Sequence, residues 1–212
     1  MRSIRFALAL IFLAVLFACS SDKAPQAAKS AEPAKAEKKE PLLYTGREAF
    51  QQMYLSAHLW AVDAKPYKLE SVFNQESNGH EGKATIWRSG SASISRRGLK
   101  SFLWSGSRLP DAPSSGISSG VEDTYNPSNS STLAFDFGFL KVDSDKAYET
   151  ALKHGGDKLI KANPEQPVFY VLDWNPRENV LTWHVIFGAD QEDAKLRVAV
   201  NASTGEYIRV EK

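Results

Sequence analysis

One stretch decides which part of this chain can fold as a globular unit. Phe6 to Ala18 is uninterrupted apolar sequence, preceded by Arg2 and Arg5. Its thirteen residues would rise about 20 Å as a helix, against the roughly 30 Å of a bilayer's hydrocarbon core. A cationic start and a short apolar run mark an export leader over 1–18 rather than a permanent membrane span. Residues 20–41 contain no aromatic and no aliphatic larger than Ala. Such a segment cannot bury a core, so 19–41 is predicted to be a disordered tether. The fold must be built from 42–212.

Composition narrows the classes that remain. Apolar residues make up 42% of the chain and aromatics 11%, too much for a wholly disordered protein. Cys19 is the single cysteine, which excludes an internal disulfide framework and a Cys-based zinc site. Basic and acidic residues number 26 and 25, so no nucleic-acid partner is expected. The part that can fold keeps 19 basic and 21 acidic residues.

Leu16-Phe17-Ala18-Cys19 resembles the lipobox of bacterial lipoproteins. The resemblance implies cleavage before Cys19 and acylation of its thiol and new amino group. Ser20 rather than Asp follows, which in Gram-negative sorting implies the outer membrane, with the folded part facing the periplasm. Each buried CH₂ contributes about 0.8 kcal/mol, so more than one acyl chain holds firmly to the membrane. The other reading is an ordinary secretory leader with a stray cysteine.

Thr45-Gly46-Arg47-Glu48 is a capping box, and Phe50, Met53, Tyr54, Ala57, Trp60 and Ala61 follow at helical spacing. Pro66 stops the helix. Strands are expected near 67–73 and 83–88, with a turn at Asn78-Gly79. Gly90 is read as another turn, followed by short strands at 92–96 and 99–104, broken at Gly98. A second helix begins at Asp143 or Ser144, with an interruption at Gly155-Gly156. Strands at 168–173, 180–187, 196–201 and 206–210 complete that half. The two halves repeat one order at similar spacing. The predicted fold class is therefore α+β, with two helix-plus-antiparallel-sheet units in tandem over 42–104 and 132–212. They are joined by a long loop at 105–131, where Ser, Gly and Pro supply 15 of 27 residues. Leu133, Phe135, Phe137 and Phe139 are read as one face of a connecting strand.

Val180 to Phe187, followed by Leu196-Arg197-Val198-Ala199-Val200-Asn201-Ala202-Ser203-Thr204-Gly205-Glu206, resembles the PepSY domain family over about 142–210. Asn201 stands where that family more often has Asp. The resemblance implies a binding or inhibitory module rather than a catalyst.

Residues with chemical potential are sparse. Gly116-Ile117-Ser118-Ser119-Gly120 matches G-x-S-x-G but sits in the Ser-rich loop, without the strand and helix that a nucleophile elbow needs. Asp136-Phe137-Gly138 lacks every other kinase motif. His154-Gly155-Gly156 reads as a helix end. His58, His80, His154 and His184 share no ligand spacing, so neither metal nor cofactor is expected. Asp190, Glu192 and Asp193 read as a solvated turn. Among the tryptophans, Trp60 and Trp183 are assigned to the core. Trp87, Arg88, Phe102, Trp104 and Trp174 are the candidate binding surface, since aromatics beside Arg on an open sheet serve protein recognition. The expectation is a non-enzymatic envelope lipoprotein that binds a protein or peptide, as a peptidase inhibitor or chaperone. Binding would use a sheet face or an added strand. The alternatives are a passive envelope scaffold and a serine hydrolase using Ser118.

Overall fold

A computed structural model describes residues 40–211. The leader over 1–18, Cys19 and all but the end of the tether lie outside the described residues.

The first helix, α1 (Gly46–Trp60), starts as its capping box requires. Thr45 Oγ1 accepts from the Glu48 amide, and the Glu48 carboxylate accepts from the Thr45 amide. Ala49, Phe50, Met53 and Ala57 form its buried stripe. A two-residue strand on each side, β1 (Tyr44–Thr45) and β3 (Lys83–Ala84), pairs across its entrance. The remaining strands of the first half are β2 (Lys65–Ser71), β4 (Ile86–Ser93), β5 (Gly98–Ser105) and β6 (Gly116–Thr124). The second half contains α2 (Ser144–Ala151), a π-helical turn at Leu152–Gly156, and α3 (Asp157–Ala162). Gly155 takes φ 116° in that turn, the interruption expected from the glycine pair. Strands β7 (Val168–Asn175), β8 (Val180–Phe187), β9 (Leu196–Asn201) and β10 (Tyr207–Glu211) follow.

Eight strands form one open antiparallel sheet in the order β10-β9-β8-β7-β2-β4-β5-β6. The halves do not carry separate sheets. They fuse where β2 pairs with β7, at Lys68↔Asp173, Leu69↔Leu172 and Glu70↔Val171. Outward from that seam each side runs in chain order.

Both helices rest on the same sheet face and share one core. Its centre is a triad of fully buried rings. Trp87 and Trp183 meet edge to face at 6.4 Å, and Tyr170 lies 6.0 and 6.5 Å from them. The two indoles play matching parts. Trp87, on β4, donates to the Tyr44 carbonyl just ahead of the α1 cap. Trp183, on β8, donates to the Val142 carbonyl just ahead of the α2 cap. Both bonds are 2.9 Å. The caps themselves interlock. Asp143 accepts from Thr45 Oγ1 at 2.7 Å and from the Arg47 amide at 2.8 Å, while also capping Ser144. Ser144 Oγ accepts from the Gly46 amide and donates to the Gly82 carbonyl. A Cβ on Gly46 would lie 2.6 Å from the Trp183 ring and 3.2 Å from Trp87, so only glycine lets the helix start seat on both indoles. Gly46→Val is expected to destabilise by about 1–3 kcal/mol through overpacking, even though it removes a helix glycine. Chemical denaturation measures the loss.

Several sequence expectations fail locally. Gly90 is not a turn but the middle of β4, where the Tyr67 ring covers it and a Cβ would come within 2.3 Å. The hairpin tip falls instead at 94–97, with Arg97 at φ 54°. The loop at 105–131 contains the nine-residue β6, every residue of it exposed. A strand that buries nothing needs no apolar alternation. The connecting strand at 133–139 does not form. Asp136 caps a short 3₁₀ turn at Phe137–Phe139, because its phenylalanines serve different neighbours: Phe137 stacks on Phe50 and Phe139 meets Trp174.

Candidate functional site

Because the side chains of a strand alternate, the face opposite the helices carries the other residues of every strand. On it stand Lys68, Glu70 and Arg88 from the first half, and Val171, Asp173, His184, Ile186, Arg197 and Glu211 from the second. Val171, Ile186 and Ala199 are buried, yet lie outside the helix-side core cluster. Val171 and Ile186 floor a cleft of about 460 Å³, walled by Asp173, His184, Arg197, Arg209 and Glu211.

The walls are ion pairs. His184 Nδ1 lies 2.6 Å from Glu211 Oε2 and Nε2 lies 3.2 Å from Asp173 Oδ1. Arg209 bridges Glu211, at 2.7 Å, and Glu178. On the first-half side of the seam, Lys68 reaches Glu70 within β2 at 2.6 Å and Arg88 of β4 reaches Glu70 at 3.2 Å. Burial disfavours charge on His184, but hydrogen bonds and attraction from Asp173 and Glu211 outweigh it and push its pKa up to about 9. Burial likewise opposes charge on Glu211, but its bond to His184 and the nearby Arg209 and Arg197 hold it below the usual carboxylate range.

The imidazolium is a strut between β7, β8 and the rim strand β10. With a carboxylate on each ring nitrogen, neither nitrogen is free to take a proton from a substrate hydroxyl. The folded-state pKa exceeds the unfolded value near 6.5. The His184 contribution is therefore full below about pH 6.5 and lost as pH rises through about 9, amounting to at most about 3 kcal/mol. Glu211 adds the opposite limb, present above its ordinary range and lost in acid. Urea unfolding across pH 6–10 should show the alkaline decline, and His184→Gln should flatten it. An unchanged slope in the variant would refute the strut.

The structure separates the five residues chosen from sequence. Trp87, Phe102 and Trp104 are interior, beneath α1. Trp87 pairs with Trp104 in register, so all three share the helix-side face and cannot form an exposed patch. Trp174 is half-buried on that face against Phe139. Arg88 alone stands on the open face. Missed were Asp173, His184 and Glu211. A period-two signal lay in β8 alone, where Thr182 and His184 alternate with Leu181, Trp183 and Val185; Asp173 is the one charged residue of β7, and Glu211, on β10, carried no such signal. Ser118 lies in the exposed rim strand β6, with no strand-to-helix elbow around it. His154 stacks on Tyr207 at 3.8 Å. Asp190 accepts from the amides of Glu192 and Asp193, closing their turn.

Neither a protein-family profile nor a curated protein sequence matches the chain. Among solved structures, a protein of Clostridium difficile 630 described as a candidate lipoprotein is similar at 11% identity and a TM-score of 0.54. The match covers 82% of this chain and 99% of that one. The likeness is one of fold.

Proposed function

We propose that this chain is an envelope lipoprotein, acylated on Cys19 and held at the outer membrane facing the periplasm. In this reading its folded part is a non-catalytic module that binds a protein or peptide through the open sheet face. The observation that carries the reading is that both helices lie on one side of the sheet. The other side is left with a cleft of apolar floor and charged walls, the mix of anchors and paired charges that protein recognition uses. The single cysteine closing the apolar run supports the anchor, as does the candidate-lipoprotein description of a fold relative. A tandem of PepSY-like units accounts for the two helix-plus-meander halves, each with a tryptophan on its second full strand bonded ahead of its helix.

The test is photo-crosslinking in the intact envelope, with a benzophenone side chain placed at Arg88 and, separately, at exposed Lys158 on the helix side. A discrete adduct from Arg88 and none from Lys158 is expected. Equal labelling, or no adduct from Arg88, would leave a passive scaffold. Cys19→Ala should release the protein from membranes into the soluble fraction.

A further inference from the structure

The two rims of the sheet differ. β10 has five residues, its register shifts between Tyr207 and Arg209, and its Arg209 and Glu211 are tied into ion pairs. β6 has nine residues, all exposed, and among the described residues β5 is its single neighbour in the sheet. Its outward amides and carbonyls therefore face solvent. Natural sheets blunt such rims with charge, proline, lysine or bulges. Residues 116–121 carry no charge and no proline. The blunting that exists is one register shift, opposite Lys100–Phe102, and the acidic pair Glu122-Asp123 at the end of the strand.

The rim itself carries exposed apolar side chains, Ile117 and Val121. Trp60 of α1 donates to Glu122 at 2.9 Å, whereas Tyr54 on the opposite flank meets Phe137. Ile117, on the helix side of β6, is 38% exposed. On the open face, Asp123 makes no ion pair among the described residues, while Glu122 is bound by Trp60 and Arg96. β6 contains no cation, so a second copy of the strand would bring nothing to Asp123.

We infer that β6 is a docking edge for an extended segment of another protein, which adds as a ninth strand. Its apolar residues, at alternate positions, lie against Ile117, and a Lys or Arg on its other face meets Asp123. Strand addition draws affinity from backbone bonds and selectivity from alternate side chains. The inference rests on the chain being a binding module, not on the open face being the surface used.

The probe is the acetylated, amidated peptide Val-Thr-Val-Lys-Val-Thr-Val-Lys-Val, added to the full chain in detergent micelles and followed by amide hydrogen exchange. Exchange over 116–124 should slow about tenfold or more at saturation. Asp123→Lys should weaken binding about tenfold. N-methylating alternate peptide amides, in either register, should abolish binding in at least one register. No slowing over 116–124 at millimolar peptide, or equal binding by both methylated peptides, would overturn the inference. Protection of β6 that grows with protein concentration and needs no peptide would assign the rim to a second copy instead. The Arg88 adduct, read in parallel, separates the two failures. If it persists while β6 stays unprotected, the rim inference falls and the open-face reading stands.

Discussion

Trp183→Ala should lower the unfolding free energy by about 3–5 kcal/mol, the range for emptying a buried aromatic site. The indole is fully buried, contacts Trp87 edge to face, and bonds to the carbonyl that leads into α2. Its loss leaves both a cavity under Gly46 and an unpaired Val142 carbonyl. Trp87→Ala should fall in the same range, because Trp87 holds the corresponding place ahead of α1. A double-mutant cycle should give a coupling of about 0.5–1.5 kcal/mol between them. Trp183→Phe, which keeps most of the volume but not the donor, should lose about 1–3 kcal/mol. Guanidinium unfolding supplies all four values. A loss below about 1 kcal/mol for Trp183→Ala would contradict the central place given to these rings.

Asp143→Ala is expected to cost about 2–4 kcal/mol. One carboxylate serves two helix starts, accepting from Thr45 Oγ1, the Arg47 amide and the Ser144 amide. An ordinary cap contributes about 1 kcal/mol, and charge-assisted bonds contribute more than neutral ones. Asp143→Asn retains an acceptor oxygen and should lose about half as much. Thr45→Ala, which removes the cap of α1 and one of the three bonds to Asp143, should lose about 1 kcal/mol. If Asp143→Ala matched Thr45→Ala, the two helix entrances would not be coupled through this carboxylate.

Much of the fold was legible where burial imposes a pattern. Thr45 and Glu48 announce α1, a continuous apolar run announces β7, and alternating apolar residues announce β8 and β9, within a residue or two of their observed ends. The glycine pair at 155–156 marked the break between α2 and α3. Legibility ended where burial does. β6 exposes every residue, so nothing in its side chains had to alternate. Gly90 misled because a mid-strand glycine admitting the Tyr67 ring looks locally identical to a turn glycine.

The five residues chosen from sequence divide between the two faces for a related reason. Arg88 and Trp87 are neighbours in sequence but project from opposite faces of β4. Choosing the face required knowing that α1 covers the Trp87 side. His184 shows the converse case. Its place between Trp183 and Val185 announced an outward polar residue. The carboxylates that hold it come from Asp173, eleven residues away, and Glu211, twenty-seven residues away.

By itself the amino-acid order determined which segment can form a core, where its principal helices begin, and which strands have a buried side. Those properties follow from local caps and from the two periods at which apolar side chains recur. Tertiary structure alone decided that two meanders fuse into one sheet at β2 and β7. It also decided that the tryptophans lie inside and that a histidine is held between two acids. Those outcomes depend on strand register and on which face the helices cover, set by pairings that range from eleven residues apart at His184 to about a hundred at the β2–β7 seam.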